Sequence, residues 1–319
     1  MRHALDAAAT VRTATAPNPW VGAAIAAPDG VIHVGATRPP GGPHAEIVAL
    51  EAAGAAAQGA TLATTLEPCV HHGRTGPCTE AIIGAGVRRV LIGTQDPDPN
   101  VDGTGIATLR AAGLDVVTGV CADDVEDQLA AYLHHRRTGR PYVVVKLATT
   151  VDGRTAAPDA TSQWITGVEA RTDGHRLRAE SQAILVGAGT VRSDDPTLTT
   201  RMVEGPSPRR VVLGSAAPGA RIHPCLEWRG EIEELLDQLG ADGVLQLLIE
   251  GGPSTVAQFH GEGLVDRFVV YVAPAIFGGD DAKPMFSGAG VATIDALHRG
   301  RFIDVRRVGD DLRLDVVLD

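Results

Sequence analysis

Short apolar runs alternate with helix-periodic segments along most of the chain. In the first half, Val21–Ala27, Ala60–Thr65, Arg89–Gly93 and Leu114–Thr118 read as strands. Between them, His44–Ala57, Cys78–Ala85 and Gly105–Ala112 carry helical patterns. Strand-length apolar runs spaced by helix-length segments predict an α/β domain, with helices layered on a sheet. The basic stretch His134-His135-Arg136-Arg137-Thr138-Gly139-Arg140-Pro141 interrupts this pattern. Charges closed by Gly and Pro read as a helix end plus a linker. The boundary is therefore set near residue 140, giving domains 1–140 and 141–319.

Beyond it the alternation restarts. Tyr142–Ala148 is rich in β-branched residues, Gly167–Ala179 is helical, and Ala183–Val186 is an unbroken apolar run typical of a buried strand. Arg210–Leu213, Leu245–Ile249, Phe268–Ala273 and Leu312–Leu318 add strands, and Ser254–His260 opens a helix. The second domain is again α/β.

Length agrees with two domains: 319 residues exceed one domain of ~100–200. Hydrophobic residues at 44% and charged residues at 21% are an ordinary globular mix, so each half can build a core. The net charge of −11 argues against a nucleic-acid or anionic-membrane surface, and 3% aromatics leave little for base stacking. No apolar run reaches the ~18 residues of a membrane span. Met1–Thr15 lacks the pattern of a secretory signal. Four cysteines do not make a disulfide scaffold, so a cytoplasmic protein is expected.

The chemistry concentrates in three short blocks: His44-Ala45-Glu46, Glu67-Pro68-Cys69, and Cys78. A catalytic zinc takes three imidazole or thiolate ligands and keeps a fourth position for water, whose pKa it lowers towards ~7. His44, Cys69 and Cys78 supply that set, and Glu46 is left over to move protons. Zinc deaminases pair H-x-E with P-C-x-x-C; here the second Cys follows eight residues instead of two. A structural zinc site would need a fourth ligand, for which His71 and His72 are the nearby candidates.

The second half is less decisive. Gly187-Ala188-Gly189-Thr190 and Glu250-Gly251-Gly252-Pro253-Ser254 each follow an apolar strand, and the latter precedes a helix. Both suit close approach of backbone to a phosphate, without the full dinucleotide fingerprint.

The segment from His44 to Glu80, with His-His-Gly-Arg-Thr-Gly-Pro filling the wide Cys spacing, resembles the bifunctional riboflavin-biosynthesis enzymes of the RibD type, a pyrimidine deaminase fused to a reductase. The resemblance covers nearly the whole chain. It includes Pro17-Asn18-Pro19-Trp20, Gln95-Asp96-Pro97, Lys146 with Val151-Asp152-Gly153-Arg154, Ser162-Gln163-Trp164, Asp194-Asp195-Pro196 and Glu250-Gly251-Gly252-Pro253.

The resemblance implies a cytidine-deaminase-like α/β/α domain followed by a dihydrofolate-reductase-like α/β domain. It implies zinc in the first and NADPH in the second. The substrate is a phosphorylated diaminopyrimidinone, deaminated and then reduced from ribosyl to ribityl, by a homo-oligomer, a dimer, joined through the reductase halves. Asn18, His71 and Arg74 then line the deaminase pocket. Ala148, Trp164, Thr190, Asp194, Ser215, Gly252, Pro253, Ser254 and Thr255 face the cofactor, and Ser162, Arg178, Arg201 and Glu250 face the ribosyl phosphate. Asp194 is also the implied catalytic carboxyl of the reductase.

Three places depart from the family pattern. Thr37 stands where a His is common, and Asp98 replaces an Asn in Asp96-Pro97-Asp98-Pro99. An acid near a phosphate is unfavourable, so Asp98 either points away or alters substrate binding. Between Ser215 and Glu231 the chain is short where the family has room for another strand. Two other readings stay open: a deaminase of a different pyrimidine with a non-catalytic C-terminal module, and a zinc-stabilised scaffold.

Overall fold

The structure, a computed structural model, describes residues 1–71 and 76–318. It divides into two compact units, Met1–Gly139 and Arg140–Asp319.

The first unit runs α1 (Arg2–Ala9), β1 (Gly22–Ala26), β2 (Ile32–Ala36), α2 (Ala45–Ala53), β3 (Thr61–Leu66), α3 (Cys78–Gly84), β4 (Arg89–Thr94), α4 (Thr104–Ala111), β5 (Asp115–Thr118) and α5 (Ala122–Thr138). Its sheet has the order β2-β1-β3-β4-β5. The pairs β1–β2 and β1–β3 are antiparallel, and β3–β4 and β4–β5 are parallel. The basic run noted above is the last turn of α5, whose first turn carries Asp123 and Asp124. Acids at the start and cations at the end both complement the helix dipole. Gly139 at φ +76° then closes the helix in a conformation that glycine adopts without strain.

The second unit runs β6 (Tyr142–Thr150), β7 (Arg154–Ala156), α6 (Val168–Glu180), β8 (Ala183–Gly187), α7 (Ala188–Asp194), β9 (Arg209–Leu213), β10 (Leu226–Trp228), α8 (Ile232–Ala241), β11 (Gln246–Ile249), α9 (Pro253–Gly261), β12 (Arg267–Ala273), β13 (Lys283–Pro284), β14 (Gly300–Val308) and β15 (Asp311–Leu318). Eight strands form one sheet, β10-β9-β8-β11-β6-β12-β15-β14, parallel up to β12 and antiparallel beyond. Strands β8 and β11 are buried on both faces, which is why they read as unbroken apolar runs. Alternate residues feed two cores. Val145, Leu185, Val211 and Leu247 pack with α8 and α9, while Val144, Ile184, Val212 and Leu248 pack with α6.

Two local differences from the sequence reading matter for the site. Gly187-Ala188-Gly189-Thr190 is not a bare loop, because α7 begins at Ala188. The short stretch after Ser215 does contain a strand, β10, which extends the sheet edge parallel to β9.

Candidate active sites

In the first unit, three elements converge. His44 is the residue immediately before α2, Cys78 is the first residue of α3, and Cys69 lies in the loop after β3. The His44 Nδ1 is 3.5 Å from Cys69 Sγ and 3.3 Å from Cys78 Sγ. The three ligand atoms all lie within 4.8 Å of one another, and no disulfide joins the sulfurs. Among the described residues this is the only group of three or more His, Cys, Asp or Glu side chains so placed. An imidazole and two thiols at this spacing are the soft donor set that zinc takes.

The electrostatics agree with that use. The Cys69 thiol is held down to about 4, first by the contact with Cys78 and then by His44, while the same contact pushes Cys78 up. Glu46, on the first turn of α2, is only 3% exposed. Burial, then the Cys69 charge, raises its pKa to about 7.

Sequence reasoning gave Glu67 no role, yet it organises this loop. One of its carboxylate oxygens accepts the backbone N–H groups of Asp96 at 3.2 Å and Gly103 at 3.0 Å. The other accepts that of Ile106 at 3.0 Å, so the side chain caps the start of α4. Gly105 fits beneath it because a Cβ there would stand 2.1 Å from the Pro68 carbonyl oxygen. The available signal was the acid placed directly before Pro68-Cys69.

Of the expected pocket residues, Asn18 is half-buried with its N–H on the Thr15 carbonyl, and His71 is exposed. Arg74 lies outside the described residues. Thr37 is buried, and its hydroxyl is tied to the Val21 backbone. Asp98 faces Arg136 at 3.4 Å and caps Asn100, which gives its charge a local partner.

In the second unit, a cleft of about 1320 Å³ opens at the carboxyl ends of β8, β9 and β11, where α/β sheets commonly take ligands. The predicted cofactor residues Ala148, Trp164, Thr190 and Asp194 line it, as do Gly252 to Thr255 at the start of α9. Ser162, Arg178, Arg201 and Glu250 line the same cleft. Ser215 does not; its hydroxyl accepts hydrogen bonds from Arg229. The two glycine turns close on one another here, since a Cβ on Gly187 or Gly251 would run into Thr255.

Glu250 anchors the polar wall of the cleft. It receives a two-pronged contact from Arg178, at 2.7 and 2.9 Å, and lies 3.9 Å from Lys146. Burial alone would raise its pKa, but Arg178 and Lys146 hold it down to about 2. His175 is buried beside this cluster, and its Nδ1 accepts the Arg201 backbone N–H at 3.2 Å. Burial, then the charges of Arg178 and Arg201, lower its pKa to about 4. Neither Lys146 nor His175 had a role in the sequence reading. Their importance comes from the tertiary partners.

Comparison with known proteins separates the same two units. Residues 141–314 match the RibD C-terminal domain. Residues 1–94 match the cytidine and deoxycytidylate deaminase zinc-binding region. The riboflavin biosynthesis protein RibD of Mycobacterium tuberculosis is 42% identical over 330 residues, covering 99% of this chain and 96% of the relative. RibD of Escherichia coli is 36% identical, covering 99% and 98%. A solved Acinetobacter baumannii RibD structure aligns with a TM-score of 0.90 at 35% identity, covering 100% of this chain and 97% of its own. A Thermotoga maritima structure aligns at 0.88 and 31% identity, with coverage of 100% and 97%. That protein is described as a diaminohydroxyphosphoribosylaminopyrimidine deaminase and 5-amino-6-(5-phosphoribosylamino)uracil reductase. The chain thus belongs to the RibD family of riboflavin-biosynthesis enzymes, joining a cytidine-deaminase-like zinc-binding unit to a pyrimidine reductase unit.

Proposed function

We propose that this chain carries out two consecutive steps: hydrolytic removal of the 2-amino group from a diaminopyrimidinone ribosylamino phosphate, then NADPH-dependent reduction of the ribosyl group to ribityl. The observation that carries the first step is the convergence of His44, Cys69 and Cys78 around one point, with buried Glu46 beside them. Those three residues hold the zinc, which when bound acts as a Lewis acid on water and substrate. Glu46 is not needed as a ligand. It takes a proton from the attacking water and passes it to the departing amine. Asn18, His71 and Arg74 bind the pyrimidine and its phosphate.

For the second step, bound NADPH supplies the hydride. Gly252, Pro253, Ser254 and Thr255 hold its diphosphate at the N-terminus of α9, where backbone N–H groups favour anions. Ala148, Trp164 and Thr190 complete its site. Ser162, Arg178, Arg201 and Glu250 orient the ribosyl phosphate, and Asp194 delivers a proton as hydride reaches the sugar carbon.

The same reading includes a cytoplasmic enzyme and a homodimer formed through the reductase unit. Among the described residues no helix is long and apolar enough to cross a membrane. Supporting a dimer, β14 ends the sheet and leaves Phe302 63% and Val305 56% exposed. Sedimentation at micromolar concentration should give twice the chain mass; a monomer there contradicts that part.

The catalytic test is Glu46→Gln. Deamination should fall by about 10²–10⁴-fold, with zinc content unchanged and reduction of the deaminated substrate intact. Undiminished deamination would refute the assignment.

A further inference from the structure

Arg178, the most buried guanidinium of the reductase cleft, is already occupied. It gives two hydrogen bonds to Glu250 and a third to the Thr199 carbonyl at 3.1 Å. Arg201 and Arg221 are different. Both line the cleft, and neither guanidinium has a carboxylate within ion-pair distance among the described residues. Each is instead tied down by its backbone. The Arg201 N–H is held by His175 Nδ1 at 3.2 Å, and the Arg221 N–H by Asp195 Oδ1 at 2.8 Å. The next residue, Ile222, is fully buried in the core with Val191, Leu198 and Val212. It pins the loop that presents Arg221, and that loop is the stretch between Ser215 and Glu231 that departs from the family pattern.

Two exposed guanidiniums on anchored backbone, neither in an ion pair among the described residues, repel each other across the cleft unless an anion lies between them. The Arg201 pKa agrees: burial, then Arg178, lower it, Glu250 opposes them, and Arg221 adds a smaller lowering. The chemistry that answers both is a phosphate monoester dianion, whose oxygens match planar guanidinium forks.

We propose that Arg221 is a second phosphate-binding residue of the reductase site, closing with Arg201 on a phosphate monoester. The inference rests on the reductase reading given above. Two groups carry that chemistry there, the 5′-phosphate of the ribosylamino substrate and the 2′-phosphate of NADPH. Proximity to Arg201 favours the substrate.

The test compares the full-length enzyme with Arg221→Ala, Arg201→Ala, Arg221→Lys and, as a control, Arg209→Ala, whose guanidinium is tied to Asp242. Binding of inorganic phosphate is measured by calorimetry, and reduction of the deaminated substrate by NADPH oxidation. Arg221→Ala and Arg201→Ala should weaken phosphate binding at least fivefold, Arg209→Ala should not, and Arg221→Lys should recover part of the loss. A tenfold rise in substrate KM, with NADPH affinity within twofold, identifies the substrate phosphate. A selective loss of NADPH over NADH affinity keeps the phosphate-binding role and reassigns it to the cofactor. Phosphate binding, substrate KM and NADPH affinity all within twofold of the parent in Arg221→Ala would overturn the proposal. Should the enzyme reduce no substrate at all, the reductase reading fails, while the phosphate titration still decides the role of Arg221.

Discussion

The metal-binding atoms of the first unit lie within 4.8 Å of each other and come from short sequence blocks, two at helix starts and one in the loop after β3. The site residues of the second unit line a cleft of about 1320 Å³ and come from several strand ends and the loops between them. A compact metal site encodes its own geometry, because the donor types and their count fix what binds. A dispersed cleft depends on the whole sheet for its shape. Its chemistry is held by long-range pairs such as Arg178–Glu250, which are separated by 72 positions. The first site should therefore respond sharply to loss of one ligand, and the second to loss of one buried charge partner.

Removing zinc by chelation, or replacing Cys69 with Ser, is the most severe way to break this contrast. Deamination should drop by at least about 10³-fold, while reduction of supplied deaminated substrate stays within twofold. Parallel loss of both activities would mean that the units do not hold their sites independently.

Arg178→Ala acts on the other side of the comparison. It leaves Glu250 buried without its main partner, a situation that costs about 3–5 kcal/mol. Unfolding of the reductase unit should shift by that amount, and reductase activity should be lost with it. Deaminase activity should remain.

Gly105→Ala is a smaller perturbation, confined to the first unit. A Cβ at 2.1 Å from the Pro68 carbonyl forces backbone movement next to Cys69, worth about 1–3 kcal/mol. Zinc affinity should fall along with stability; unchanged metal binding would show that the Glu67 cap does not position the ligand loop.

The smallest effect is a difference in pH response. Burial raises the Asp96 pKa from its ordinary 3.8 to about 6, so the folded first unit holds that proton more tightly than the unfolded chain does. Its contribution to stability declines as pH rises from about 4 to 6. Burial lowers His175 from 6.5 to about 4, so the folded second unit binds that proton less tightly. Its contribution is complete above 6.5 and is lost as pH falls towards 4. Asp96→Asn and His175→Gln should remove these opposite slopes from their own units. Matching slopes in the two variants, measured by thermal unfolding between pH 4 and 7, would contradict the assignments.

The same contrast explains what could be read from the chain. Buried strands such as β8 and β11 announce themselves as unbroken apolar runs, and the zinc donors are legible from residue type and spacing. Helix α5 hid because its buried Val125, Leu129 and Tyr132 sit among acids, Gln and His. Strand β14 hid because all but two of its nine residues are exposed, which leaves little apolar pattern. In the cleft, the glycine turns were visible and Lys146 stood out only as part of a motif without a role, while His175 and Arg221 were not singled out. A charged residue takes its meaning from a partner elsewhere in the fold, as Arg221 does from Asp195 and Arg201. Ser215 shows the reverse: matched by position, it meets Arg229 and does not line the cleft.

The most direct test of the central claim, two sites acting in sequence, is product mass. The protein is incubated with the diaminopyrimidinone ribosylamino phosphate, first alone and then with NADPH. Exchange of an amino group for oxygen adds about 1 mass unit, and hydride plus proton add about 2 more. The account predicts the first gain without NADPH and the second only with it. An unchanged mass, or a first gain never followed by the second while NADPH goes unconsumed, would contradict it.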